Sequence, residues 1–318
     1  DLANWLVSPQ NPLTARVYMN RMWSEYFGAG ISKSVEDFGS QGDWPSHLQL
    51  LNWLAAEFMN PQYDAENTHP WDMRHMARII VLSETYRQSS LSSPALDERD
   101  PENRLLARQN RFRVDAESVH DLMLEISGLL VNKFGGPSVE PYQPDGYLAA
   151  LNFPKRSWSA SHGDDLYRRG VYTFWQRTFL QPSMMNFDAP TREECAVFRT
   201  PSNTPLQALD LLNDPTFVEA SRVFGEHILQ YGGKDLQSQL RWAFLQATTR
   251  QPEKDELQIL MDLHAKSMAH FKSEKADATE FIEIGDASIP AKEKAVKLAA
   301  MSNVARAILS LHEVITRD

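Results

Sequence analysis

TPLQALDLLNDPTFVEASRVFGEHILQYGG, residues Thr204–Gly233, holds two helix starts in direct succession. Thr204, Pro205 and Gln207 form a capping box with proline at the first helical position. The threonine hydroxyl accepts from an early amide, and the glutamine reaches back to the Thr204 N–H. The helix so opened passes through Leu206, Leu209 and Leu212. Asp214-Pro215 repeats the signal and predicts a second helix, ended by Gly232-Gly233.

The same grammar extends in both directions. Asn11-Pro12 opens a helix to about Phe27, with Leu13, Val17, Trp23 and Phe27 on one stripe. Asn20 falls inside that stripe. A buried asparagine needs partners, so it is expected to tie the helix to a neighbouring loop. Further helices are predicted over Ser46–Met59, from Asp72, over Val114–Val131 up to Gly135-Gly136-Pro137, and over Leu236–Thr248, Pro252–Phe271 and about 290–311. Asp100-Pro101 repeats the cap-plus-proline signal. Val171–Trp175 alternates and is rich in β-branched and aromatic residues, the one candidate for a short strand. Ser273–Pro290, acidic and weakly apolar, reads as an exposed loop or mobile linker.

The fold class is therefore mostly α: a multi-helix globular domain with a long irregular aromatic- and arginine-rich central loop region and at most a short β element. One domain over 1–318 is expected. Within it, an N-terminal helical region (1–135), a central loop region (136–200) and a C-terminal helical region (201–318) would share one core.

Composition narrows the function classes. Of 318 residues, 42% are hydrophobic and 23% charged, an ordinary globular balance. The net charge of −10 argues against a nucleic-acid partner, because such binding rests on clustered Lys and Arg. No apolar run reaches the 18 residues of a membrane span, so no transmembrane segment is expected. The single cysteine, Cys195, forms no internal disulfide. The opening residues DLANWLVSPQNP already read as domain interior, and a fragment of a longer protein is expected. Asp37-Phe38-Gly39 imitates the kinase metal-binding tripeptide but lacks its companion motifs.

Six ordered blocks carry a resemblance. They are NPLTARVYMNRMWSEYFGAGI (Asn11–Ile31), DFGSQGDWPSHLQLLNWLAAEF (Asp37–Phe58), RHMARIIVLSETYRQSS (Arg74–Ser90), DPENRLLARQNRFRVDAESVHDLML (Asp100–Leu124), GGPS (Gly135–Ser138) and TPLQALDLLNDPTFVEAS (Thr204–Ser221). The chain resembles the planctomycete-specific C-terminal domain of unknown function, which sits behind a cytochrome-c-like domain in large exported planctomycete proteins. The resemblance implies a periplasmic, cell-surface or secreted location and a haem c in a neighbouring domain. It implies no cofactor in this domain, where the CxxCH haem signature is absent. It supplies no catalytic residues.

Candidate site residues therefore come from the chain itself, and they concentrate in the central segment. Asp164, Asp165, Asp188 and Glu193 are the carboxylates that would serve acid–base catalysis on a polysaccharide, which needs two carboxyls about 5–10 Å apart. Trp158 and Trp175 would stack on sugar faces. His162 accompanies the first acid pair, and Arg169, Arg177, Arg192 and Arg199 would hold anionic groups, as guanidinium does in bidentate fashion. The competing reading is that these charges pair internally and pin the loops, which is commoner. Arg168 belongs to the same cluster. No metal site is expected, since no two of the nine histidines are spaced i,i+4 and Cys195 has no partner. Cys195 itself follows Glu193 and Glu194, which disfavour a thiolate. Two functions follow: a module of an exported, cytochrome-linked protein that binds or processes an extracellular polysaccharide, or a non-catalytic scaffold that docks a haem domain or another protein.

Overall fold

The computed structural model describes residues 1–64, 66–144, 146–150, 157–176, 179–289 and 295–317. Among them the helices are α1 (Leu2–Leu6), α2 (Thr14–Phe27), α3 (Leu48–Met59), α4 (Met73–Leu82), α5 (Pro94–Arg99), α6 (Ala116–Ser127), α7 (Pro182–Asn186), α8 (Pro205–Asn213), α9 (Pro215–Tyr231), α10 (Leu236–Thr248), α11 (Lys254–Ser273), α12 (Lys275–Ile282) and α13 (Ala295–Leu309). The one sheet among the described residues pairs β1 (Phe112–Arg113) with β2 (Thr316–Arg317). The mostly α expectation holds.

The chain divides into two compact units. The first comprises residues 1–112 with 317–318, and the second residues 113–316. The expected N-terminal helical region ran to 135. Helix α6 instead belongs to the second unit, because Val119 and Met123 are buried in one cluster with Phe224 and Ile308.

In the first unit, α2 opens two residues later than expected: it begins at Thr14 with Leu13 in the cap position, while the Asn11 Oδ1 accepts from the Leu13 amide at 2.9 Å and turns the chain ahead of the helix. Met19, Trp23 and Phe27 of α2 meet Leu51, Leu54 and Phe58 of α3 and Met76 and Ile80 of α4. The Trp23 and Phe27 rings stack at 4.0 Å. Each such side chain, fully buried, contributes roughly 1.5–3 kcal/mol. Asn20 is fully buried and does what was expected of it: its amide donates to the Ser32 carbonyl and its oxygen accepts from the Ser32 N–H, both at 2.9 Å.

The second unit is centred on α9 and α13. Small residues let them approach: Gly225 faces Ser302, and Ala220, Ala299 and Ala305 are fully buried nearby. Helices α6, α10 and α11 complete this core through Met123, Leu240, Phe244 and Leu257.

Several expectations are corrected. Helix α6 stops at Gly128, short of the predicted end at Val131. Asp100-Pro101 opens no helix; the Asp100 carboxylate accepts instead from the Arg104 and Leu105 amides, closing a turn. Val171–Trp175 is not a strand: Gly170–Tyr172 is a 3-10 turn, and only Thr173 bridges to Val139. The segment 273–289 is no free linker, since α12 buries Ala278 and Ile282 completely. Helix α8 forms where its capping box placed it, but it turns Gln207 and Leu211 inward. Leu206, Leu209 and Leu212 face solvent, 56%, 52% and 37% exposed.

Candidate functional site

The central segment of the second unit is built around buried charges. Arg168 is 1% exposed. Its guanidinium donates to the carbonyls of Lys133, Gly135 and Pro137 and lies 3.8 Å from the centre of the Tyr172 ring. Three carbonyls and a ring face solvate the cation in place of water, as the planar guanidinium allows.

A second knot surrounds Glu219 of α9, which is fully buried. Its carboxylate accepts from the Tyr167 hydroxyl at 2.8 Å, the Tyr142 hydroxyl at 3.1 Å and the Ala287 amide at 2.6 Å. Burial, reinforced by this neighbouring carboxylate, pushes both phenols well above the ordinary tyrosine range. One turn along, buried Arg222 pairs with Glu226 at 2.6 Å and donates to the Ala287 and Ser288 carbonyls at 3.0 and 3.1 Å. A strap over residues 285–288 is thus clamped across α9.

The expected site residues attach to such knots. His162 Nδ1 meets the Asp286 carboxylate at 2.9 Å, and the Gly163 amide donates to the same carboxylate at 2.7 Å. Those two bonds, the backbone one foremost, hold Asp286 below the ordinary aspartate range. Arg199 grips Glu117 of α6 through both terminal nitrogens and reaches Asp115 at 3.5 Å. Arg192 reaches Glu117 at 3.5 Å and lies 3.8 Å from the centre of the Trp175 ring. The indole N–H of Trp175 donates to the Thr191 carbonyl at 3.0 Å. Burial alone would raise the Glu117 carboxyl, but the hydrogen bond and charge of Arg199, with Arg192, hold it low. Arg169 lies 3.6 Å from Asp121, which also accepts from the Gly170 amide at 2.7 Å.

Asp188 accepts from the Ser202 amide at 2.6 Å and hydroxyl at 2.8 Å, closing the loop that leads into α8. Trp158 donates to the Pro141 carbonyl at 2.8 Å and leans on Phe174. Asp164 and Asp165 sit exposed on a 3-10 turn, and Glu193 and Cys195 are exposed as well. Arg177 lies outside the described residues. The structure therefore gathers Trp175, Arg192 and Arg199 around Glu117, while His162, Arg169 and Asp188 go to three separate partners.

Sequence reasoning misses those partners. Glu117 and Asp121 stand i,i+4 on α6, one helix face presenting two acids, and this spacing was available as a signal. Glu219 and Arg222 were equally visible as charges inside an apolar helix. Among the described residues no group of three or more His, Cys, Asp and Glu side chains is placed to hold a metal ion.

A concavity of about 730 Å³ lies in the first unit, lined by Asp64, Glu66, Asn67, Thr68 and α4 with its cap Asp72, and by none of the expected site residues. In its wall His75 Nε2 meets Glu57 at 2.9 Å, with both side chains at most 4% exposed. Glu57 also accepts from the Gln62 and Tyr63 amides. Burial pushes its carboxyl up, but the His75 and backbone hydrogen bonds outweigh this and hold it below the ordinary glutamate range.

These features define a helical protein whose central loops are braced by internal charge knots. The chain belongs to the PSD1 family, described as a protein of unknown function (DUF1553), whose family model matches residues 1–264. No curated protein and no solved structure matches the chain. No described helix is long and apolar enough to cross a membrane.

Proposed function

We propose that the chain is a docking module of an exported, cytochrome-linked protein, with α8 as its contact surface and a haem-bearing domain as its partner. The observation that supports this reading is the outward stripe of Leu206, Leu209 and Leu212 on a helix whose polar Gln207 is turned inward. A solvent-facing apolar helix stripe costs solubility unless another surface covers it. Around such a patch, a chain carrying a net charge of −10 steers a basic partner into register. The planctomycete and cytochrome context of the reading rests on the sequence resemblance. Polysaccharide processing is the weaker reading, because Asp188, Arg169, Arg192, Arg199 and His162 are engaged within the chain.

The test is calorimetric titration of the chain with the cytochrome-c-like domain of the same polypeptide. The triple variant Leu206→Ser, Leu209→Ser, Leu212→Ser is expected to bind at least tenfold more weakly with an unchanged melting temperature. Equal affinity of variant and wild type would remove α8 from the interface. A melting shift with a neutral or sulfated polysaccharide, lost in Trp158→Ala and Arg192→Ala, would reinstate the glycan reading.

A further inference from the structure

The concavity in the first unit carries an inference of its own. Its lining is charged on two sides: Arg74 and Arg78 project from successive turns of α4, and Asp64 and Glu66 come from the facing loop. Among the described residues none of these four has an ion-pair partner within 4.0 Å. Opposite charges that close a cleft by pairing are ordinary surface salt bridges. Here the two sets stand apart across an open volume of about 730 Å³, large enough for a di- or tripeptide. Asp72, also at the rim, is already occupied: it caps α4 by accepting from the Arg74 and His75 amides.

The wall between the two sets is prepared in the same sense. Glu57, held ionised, only accepts, so the Nε2 of His75 carries the proton that meets it. Glu57 also fixes the Gln62 and Tyr63 amides, which bring the chain into the acidic loop. One buried carboxylate thus orients the imidazole and braces the facing wall, as supporting shells do in binding sites.

We propose that this cleft binds a small zwitterion, an amino acid or short peptide, with its carboxylate toward Arg74 and Arg78 and its ammonium toward Asp64 and Glu66. The two guanidiniums favour a carboxylate because their paired N–H groups match its two oxygens. A neutral sugar satisfies neither set, and a simple anion meets the acidic loop as a repulsive wall.

The experiment is calorimetric titration of the 318-residue chain with the twenty free amino acids, di- and triglycine, and their N-acetylated and amidated counterparts. At least one zwitterion is expected to bind saturably, and removing either of its charges to weaken binding at least tenfold. Arg74→Gln with Arg78→Gln, and separately Asp64→Asn with Glu66→Gln, should each weaken it tenfold with circular dichroism unchanged, since all four side chains are exposed. Absence of binding by every zwitterion overturns the proposal. So does equal binding of the acetylated or amidated forms, and so do variants that bind like wild type.

Discussion

Gly285→Ala tests whether the Glu219 knot holds the second unit together. Gly285 has φ +102°, and a Cβ there would overlap the Glu219 carboxyl and lie 2.6 Å from its Cγ. The left-handed backbone alone costs about 1–2 kcal/mol for a residue with a side chain. The rest comes from moving the carboxylate. It accepts from Tyr142, Tyr167 and Ala287, and a hydrogen bond to a charged group contributes about 1.5–3 kcal/mol. Losing one of these brings the total to roughly 3–5 kcal/mol, allowing for partial relaxation. For a unit of this size about 1 kcal/mol moves the melting temperature 2–4 °C, so the transition should fall by about 6–20 °C. The internal standard is Gly163→Ala. Gly163 has φ +60° but open space around its would-be Cβ, so it should show the backbone cost alone. Melting followed by far-ultraviolet circular dichroism compares the two. If Gly285→Ala melts within about 2 °C of Gly163→Ala, the strap is not seated on the buried carboxylate and the reasoning fails.

Other expectations follow from the same chemistry. Arg168→Lys removes a planar donor set that no ammonium reproduces; it should cost about 2–4 kcal/mol in urea unfolding and speed proteolysis at residues 131–138. Glu117 has a folded-state carboxyl below its unfolded value. Its contribution is therefore complete above the ordinary glutamate range and lost as pH falls through the lower folded value. Glu117→Gln should flatten that acid limb of the stability curve. Asp214 has the opposite sign: burial raises its carboxyl, so stability is lost as pH rises from the ordinary aspartate range through the raised value. Asp214→Asn keeps an N-cap for α9 and should remove that loss, leaving the protein at neutral pH as stable as wild type or more so. Cys195, exposed, should react with a thiol reagent in the native protein without prior unfolding, and a burst only on unfolding would contradict its placement.

The helices were legible wherever a side chain settles the first turn. Thr204-Pro205-Leu206-Gln207 and Asp214-Pro215 serve as the sequence announces, because a cap is decided within four residues. Asp100-Pro101 carries the same letters yet closes a turn, since the amides that its carboxylate accepts from lie at Arg104 and Leu105. Which face of a helix turns inward is a tertiary matter. The leucines of α8 look like a core stripe, but Arg113 and Asn186 take hold of Gln207 and roll the helix the other way. The central arginines were visible as a cluster. Their partners, Glu117 and Asp121, lie 48 or more positions away in sequence, and no local pattern joins them. The cleft residues Asp64, Glu66, Arg74 and Arg78 carry no local signal, because nothing but folding brings a loop opposite a helix it precedes.

The stretch shared with the family ends at residue 264, inside α11, yet the unit it belongs to is closed by α13, which begins only at Ala295. Phe224 and Ile228 on α9 owe their complete burial in part to Met301, Val304 and Ile308. A polypeptide cut at the family boundary would present that greasy seam to water and to its own neighbours. The minimal piece that can be made and purified is therefore longer than the piece the family defines. For this chain, the closing helix is as much a condition of solubility as of shape.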